Sequence, residues 1–434
     1  NEAGSIHIPC CGCGETFAQD GVFDPRIVFL AVENGRERDG AGDAAVPIFR
    51  IGLDRLAPAV GIDELERSEK RALPSDKPLP FPGRDDFIAP PAGGNFGHKH
   101  IALCRRCTQV CPIGIDNGLI ARELRKLFSQ ELGWSPRELH EKGTKLQLDV
   151  GSSAGMNSSV AKETVEFIDE EFSEMTGYTF KTPWDVPNAD ILLIHNAGEM
   201  LAWPDNIAAF SIIFEAAGLS WTLSSEMAGY DSVNYGAFYD DVQAARVAIR
   251  HAEAAKKLGV KKIVIGECGH AHKALTVIAD RILPKDLSIP RESCFPLLRD
   301  IVLGGRLKLD PGRNDFPVTL HDPCNIVRLM GVVKPQRDIL HAIAPQFREM
   351  APHGVENYCC GGGSGFALMT RCNIGEWRTN ITGRKKMEQI CGAFKDCLGP
   401  ETRKYICAPC SNCKGQIREM LQENGLFQKN RMQY

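Results

Sequence analysis

The chain has 434 residues, room for about three domains at ~150 residues each. A hydrophobic fraction of 43% and a charged fraction of 24% are ordinary for a globular protein with real cores, and a net charge of -4 excludes the basic footprint of a nucleic-acid binder. No window approaches ~18 uninterrupted apolar residues, so no membrane span is expected, and no signal peptide is recognised. The unusual number is 17 cysteines. A long chain with this much apolar material does not need disulfides, and the cysteines are clustered, which points to metal ligation.

Residues 1–97 read as loop-rich, with short strand-like runs at 26–32 and 46–51, then a Pro-rich stretch over 73–91 that cannot form a helix interior. A helix is predicted over 117–132, with Leu119, Ile120, Leu124, Leu127 and Phe128 at helical spacing and Gly133 as its stop. The polar run GSSAGMNSS marks a boundary near 151. From about 183 the pattern becomes α/β. ADILLIHNA is a buried strand, a helix covers 204–217, LSWTLSS is strand-like, a second helix covers 240–258, and VKKIVIGE is another strand. The order returns downstream as FPVTLHDPC, a helix through 344, FREMAP, a Gly-rich loop, a helix over 374–394 and RKYICAPC. Strands alternating with helices predict parallel sheet. LIHNAGEM and TLHDPCNI superpose in register, with Gly198 standing where Cys324 stands, so the second half reads as two copies of one module.

The second copy carries Cys324, then Cys359 and Cys360 after 34 residues, then Cys407-Ala-Pro-Cys410 after 46 more. Strand-end loops of a parallel sheet converge at one edge, where such sheets place ligands. Thiolate is a soft ligand that selects iron–sulfur clusters, zinc or copper(I). Gly361, Gly362 and Gly363 let the backbone approach closely and leave N–H groups free to point at sulfides. The adjacent pair suits a cluster whose irons spread wider than an ordinary cubane, or a bridging thiolate. A zinc site is the alternative, but structural zinc usually takes two CxxC knuckles on a small domain. Cys413 is read as a bystander at a helix start, and Cys372, Cys391 and Cys397 as core thiols.

The pattern C…CCG…CxxC resembles the cysteine-rich CCG domain of heterodisulfide reductases. GECGH (266–270), RLKLDPGRND (306–315), HDPCN (321–325) and CCGGG (359–363) resemble more closely the DsrK branch, the catalytic iron–sulfur subunits of membrane complexes linked to dissimilatory sulfite reductase. The resemblance covers about 98–420. It implies an α/β fold of two tandem CCG-type modules, the first degenerate, at 151–310 and 311–434. These follow a small α-helical ferredoxin-like cluster domain at 98–150 and the loop-rich region 1–97. It implies a non-cubane [4Fe-4S] cluster on Cys324, Cys359, Cys360, Cys407 and Cys410 that reduces disulfides, although the 46-residue gap before CxxC is longer than usual. The implied partners are a cytochrome-b-like membrane subunit, a multihaem cytochrome and other iron–sulfur subunits, with a DsrC-like protein disulfide or trisulfide as substrate. The implied location is cytoplasmic, peripheral on the inner membrane through those partners. The degenerate copy keeps Glu267, Cys268 and His270 at the same sheet edge. Cys268 would complete the cluster and His270 would pass protons to a departing thiolate; the alternative is a capped turn with a buried thiol.

Cys104-Arg-Arg-Cys107-Thr-Gln-Val-Cys111-Pro112 resembles the last three ligands of the bacterial ferredoxin run, with Ile101 in the first ligand's place. Upstream, Cys10 and Cys13 have CxxC spacing around Cys11, and His7 precedes them. One cubane [4Fe-4S] cluster on Cys104, Cys107 and Cys111, completed from this group, is expected, and a second only with an unusual ligand. The sequence has no haem-attachment CxxCH and no GxGxxG opening a strand–helix unit, so electrons would come from partner subunits. Two rival readings are a non-catalytic electron-transfer adaptor and the iron–sulfur partner of a flavin 2-hydroxy-acid oxidase. GECGH and RLKLDPGRND argue against the second.

Overall fold

The computed structural model describes residues 103–133, 135, 140–363, 378–427 and 432–433. The expected N-terminal loop region and Pro-rich linker, Cys10, Cys13, Ile101 and Cys372 lie outside these residues.

Two four-stranded sheets organise the described chain, and every strand pair in them is parallel. The first holds β1 (Ile191–Ile194), β2 (Trp221–Thr222), β3 (Lys262–Ile265) and β4 (Arg291–Ser293) in the order β2-β1-β3-β4. The second holds β5 (Val318–Leu320), β6 (Phe347–Arg348), β7 (Lys404–Cys407) and β8 (Met432–Gln433) in the order β6-β5-β7-β8. In each, the first strand lies between the second and the third.

The four successive apolar residues of β1 are explained by cover on both faces, as parallel sheets require. Ile191 and Leu193 pack with Ile207, Phe210 and Phe214 of the Asp205–Ala216 helix, whereas Leu192 and Ile194 pack with Ile263, Ile265 and Leu275. The Asp241–Leu258 helix starts where the Asp240 side chain accepts from the N–H groups of Val242 (2.9 Å) and Gln243 (3.0 Å). The edge strands β4 and β8 had no signal in the sequence, because Arg-Glu-Ser and Met-Gln are short and largely polar. The Lys334–Ile343 helix, on the second sheet, packs against the Cys294–Leu303 helix, on the first, and joins the two halves.

Ahead of the sheets, a short helix at Arg106–Val110 carries part of the first cysteine motif and a second follows at Asn117–Lys126, continued by a wider turn over Leu127–Glu131. Leu119, Ile120, Leu124 and Leu127 are exposed here; the Asn117–Lys126 helix buries Gly118, Ala121 and Arg125 instead. Among the described residues, no helix is long and apolar enough to cross a membrane.

Candidate metal centre

The C-terminal ends of β5, β6 and β7 each feed a loop that carries cysteines. After β5, the turn His321-Asp322-Pro323-Cys324 is held by a buried carboxylate. Asp322 receives two hydrogen bonds from Arg337 (2.8 and 2.7 Å) and one from the Gly354 N–H (2.6 Å), and its own carbonyl accepts from Asn357 Nδ2 (2.6 Å). Gly354 and Asn357 belong to the loop after β6, so this carboxylate locks the Cys324 loop to the Cys359-Cys360 loop.

In that second loop the N–H of Gly361 points at Cys359 Sγ (3.3 Å) and the N–H of Gly362 at Cys360 Sγ (3.4 Å). Gly361 has φ +87°, and a Cβ there would lie 2.3 Å from Thr382 Oγ1. A Cβ on Gly362 would lie 2.8 Å from Gln416 Cβ. Only glycine lets the two adjacent thiols sit against the third element.

That element is the Ser411–Glu423 helix. Cys410 is its N-cap residue and Cys413 lies in its first turn. A helix N-terminus favours thiolate over thiol. Cys413 Sγ is 3.3 Å from Cys360 Sγ. Cys410 hydrogen-bonds Cys413, and Cys359 reaches Cys104, Cys324 and Cys360. Six sulfurs thus form one contiguous run: Cys104 and Cys324 on Cys359, then Cys360, Cys413 and Cys410. Thiol hydrogen bonds within the run pull Cys360 and Cys410 below the ordinary range and lower Cys104 to about 6; the donors Cys359 and Cys413 go up.

The structure does not bring Cys407 to this run. As the last residue of β7 it pairs with Leu320 and shares a face with Tyr405, packed toward Val318 and Leu340. Burial pushes its thiol up to about 12. Cys413, which sequence spacing assigned to the background, stands among the sulfurs instead. The segment Cys407-Ala-Pro-Cys410-Ser-Asn-Cys413 contains CxxC in two frames, and the strand-to-helix boundary separates them.

Two groups absent from the sequence reading face the sulfurs. His321 is fully buried, it hydrogen-bonds Cys360, and its ligand atoms lie within 4.8 Å of Cys360 and Cys413. No other set of three His, Cys, Asp or Glu side chains is so close among the described residues. Lys386 is also fully buried, with Nζ on Asn357 Oδ1 and Gln389 Oε1, and burial draws its pKa down to about 8 while Cys360 and Asp322 oppose the fall. In the sequence it sat in the run Arg384-Lys385-Lys386, which looks like a solvated face. Soft thiolates, backbone N–H groups aimed at sulfur and a buried ammonium together suit an anionic iron–sulfur cluster.

The first cysteine motif is pinned to this centre. Arg328 donates to the carbonyls of Cys104 (2.8 Å), Val355 (2.8 Å) and Asn357. Arg106 pairs with Glu356 (2.7 Å) and lies over the Tyr358 ring at 5.2 Å. Cys111 Sγ accepts from the Ile115 N–H at 3.4 Å, and such backbone contacts lower its pKa. The sulfurs of Cys104, Cys107 and Cys111 do not converge into a set of the His321 kind among the described residues.

From the first sheet, the loop after β3 leans on the sulfurs. A Cβ on Gly269 would be 3.3 Å from Cys410 Sγ. Cys268 is buried beside it, pushed up to about 12 by burial and then by Cys410, with Asn196 Nδ2 at 3.6 Å. Glu267 pairs with Lys414 (2.5 Å) and accepts from Asn206 (3.1 Å). His270 turns inward: its Nε2 accepts from the Asn234 N–H (3.0 Å) and its ring packs on Phe238 and Tyr235.

Residues 318–418 match the model of the cysteine-rich CCG domain. The chain is 27% identical over 306 residues to the Hdr-like menaquinol oxidoreductase iron–sulfur subunit of Archaeoglobus profundus, covering 61% of this chain and 54% of that one. It is 26% identical over 310 residues to the second iron–sulfur subunit of the same kind in Archaeoglobus fulgidus, with the same shares, 61% and 54%. It is 27% identical over 161 residues to one of the subunits of the dihydromethanophenazine:CoB–CoM heterodisulfide reductase of Methanosarcina barkeri, 36% of this chain and 39% of that one. The chain therefore spans about half the length of the Archaeoglobus relatives. No solved structure matches. The chain is similar to CCG-type iron–sulfur subunits of heterodisulfide reductase and its relatives.

Proposed function

We propose that this chain is the disulfide-processing iron–sulfur subunit of a membrane-associated oxidoreductase. Its cluster would be a non-cubane [4Fe-4S] centre held by Cys324, Cys359, Cys360, Cys410 and Cys413, with His321 beside it. Such a cluster supplies one-electron chemistry at a sulfur-binding metal, which lets a two-electron disulfide reduction, or its reverse, proceed in two deliveries. The observation that carries this reading is the contiguous run of sulfurs, with Cys360 and Cys413 at 3.3 Å.

The protein's own groups have definable parts. Gly361 and Gly362 present N–H groups that hold negative charge on sulfur, and Lys386 and the helix start at Cys410 do the same from the other side. Asp322 and Arg337 fix the spacing of the two loops. A cubane on Cys104, Cys107 and Cys111, completed by Cys10 or Cys13, would bring electrons in. Arg328, which donates to the carbonyls of Cys104, Val355 and Asn357, would hold Cys104 against the Cys359 loop and so couple the two centres. The substrate is a DsrC-like protein disulfide or trisulfide, or a small thiol, and the partners are a cytochrome-b-like membrane subunit, a multihaem cytochrome and other iron–sulfur subunits. The chain would lie on the cytoplasmic side of the membrane, attached through them. Cys268, buried beside Cys410, would complete the thiol set from the first sheet.

The test is metal and sulfide analysis of anaerobically purified protein, with EPR of the oxidised form before and after a thiol is added. About four irons per cluster, with equal acid-labile sulfide and a thiol-dependent signal, are expected. One zinc and no sulfide would overturn the cluster. Clusters with a signal that no thiol or disulfide alters would support the electron-transfer adaptor instead.

A further inference from the structure

Three basic residues open the Arg384–Ala393 helix, and they face different ways. Arg384 and Lys385 are exposed and pair with Glu388. Lys386 turns inward and is fully buried. Its Nζ has three neighbours: Asn357 Oδ1, Gln389 Oε1 (2.6 Å) and Met350 Sδ (3.5 Å). The two amides cannot turn N–H groups toward it, because Asn357 Nδ2 donates to the Asp322 carbonyl (2.6 Å) and Gln389 Nε2 to that of Pro352 (2.5 Å). All three neighbours are therefore acceptors, which matches the three N–H donors of an ammonium.

None of the three carries a charge. Among the described residues no carboxylate pairs with Lys386, and Asp322, the acid that reaches it, already holds Arg337 with both oxygens. Lys414, also buried beside the sulfurs, is neutralised by Glu267 at 2.5 Å. A buried ammonium without a counter-charge is costly, so one that persists needs a negative group nearby. The groups left to supply that charge are Cys360, Cys359 and Cys413. They come from two different elements, so the ammonium faces the sulfur centre as a whole and no single ligand.

We infer that Lys386 is the internal counter-ion of the sulfur centre and sets its reduction potential. The inference rests on the iron–sulfur reading above and adds the direction in which this residue moves the electron. Reduction adds one negative charge to the centre, and a fixed positive charge beside it in a water-poor interior stabilises the reduced form. Lys386 therefore raises the potential and draws electrons toward the second sheet. It acts through the sulfurs, as a positioning residue, and touches no substrate.

The experiment is a redox titration of the full-length, metal-loaded protein, followed by EPR and read on the signal that Cys360→Ser removes. Lys386→Met keeps the length and removes the charge. At a given potential it should shift the ratio of reduced to oxidised centre at least about tenfold toward oxidised, a midpoint about 59 mV lower for one electron, with iron and sulfide unchanged. Lys386→Arg should keep the wild-type midpoint. Lys385→Met, one position away but exposed and screened by solvent, should move the ratio less than about threefold. Should Lys386→Met lose its iron, Lys386→Gln keeps a donor for Asn357 and is titrated in its place, with the same shift expected. Loss of iron from both neutral variants but not from Lys386→Arg would also support a counter-ion, and loss from all three would reduce Lys386 to packing and overturn it. A neutral variant that keeps its cluster at the wild-type midpoint, or an equal shift in Lys385→Met, would overturn the inference. Wild-type protein without iron or sulfide would overturn the reading on which it rests.

Discussion

The first strand of each sheet ends in the same way, and what stands there differs. β1 runs into His195-Asn196-Ala197-Gly198 and β5 into His321-Asp322-Pro323-Cys324. Both histidines are buried. His321 faces sulfurs, whereas His195 has the buried Glu199 carboxylate at 3.5 Å. Strand order and turn are thus supplied twice, and a thiol in the turn after the first strand once. The sheet edge makes a concave place for a ligand; the side chains decide whether it holds metal.

The sharpest way to break that comparison is at the sulfurs. Cys360→Ser and Cys413→Ser should each cost the second sheet its cluster, read as a fall of about four irons and four sulfides per chain. Cys407→Ser should leave both counts unchanged, because its side chain lies on the Tyr405 face of β7. Iron retained in Cys413→Ser and lost in Cys407→Ser would reverse the assignment.

The residue after each histidine tests the scaffold rather than the ligands. Arg337→Ala leaves the Asp322 carboxylate, 1% exposed, without its partner, a change that costs about 3–5 kcal/mol for a buried pair. Asn196, in the matching place on the first sheet, caps a short helix by accepting from the Gly198 N–H at 2.7 Å and donates weakly to Cys268 Sγ at 3.6 Å. Asn196→Ala should cost about 1 kcal/mol. Denaturant unfolding of the two variants measures the difference, and equal costs would mean that the two turns carry equal load.

Arg328→Ala should be milder than Arg337→Ala, about 2 kcal/mol for a charged donor to three carbonyls, and local. Its signature is faster amide exchange over 104–116 with the iron on the second sheet retained. Unchanged exchange would mean that Arg106 and its Glu356 and Tyr358 contacts suffice to dock the motif.

What the sequence disclosed follows from how each signal is written. Ile191–Ile194 was legible because a strand covered on both faces needs an unbroken apolar run, and Val318–Leu320, interrupted by Thr319, because the turn after it repeats the one after Ile194. That Cys324 stands at a strand end was legible because its loop follows such a strand, whereas β6, ahead of Cys359 and Cys360, is only the half-buried Phe347–Arg348. The choice between Cys407 and Cys413 was not, since CxxC spacing is the same in both frames and only the end of β7 separates them. Lys386 and His321 were hidden for a related reason: charge and polarity in a sequence suggest solvent, and only packing shows that Asn357, Gln389 and Cys360 enclose them. The stripe Leu119, Ile120, Leu124 and Leu127 misled in the opposite sense, since helical spacing shows that a face is apolar and not what covers it.

A further effect concerns protons, and it falls on the first sheet. Burial lowers His251 to about 4, His272 to about 4 and His270 to about 3, against about 6.5 in an unfolded chain. Each is neutral in the fold: His251 Nε2 reaches the Asp231 carbonyl at 2.9 Å, and His272 bridges the Cys268 carbonyl and Ser293 Oγ. The unfolded chain takes up protons below about pH 6.5 that the folded chain refuses, so their contribution is complete above that pH and is lost as pH falls toward about 4. Each histidine removes about 1.4 kcal/mol per pH unit across that window. His251→Gln should therefore flatten the slope of stability between pH 6 and pH 5 by about that amount, whatever it does to stability at pH 8. A slope left unchanged would mean that His251 is protonated in the fold.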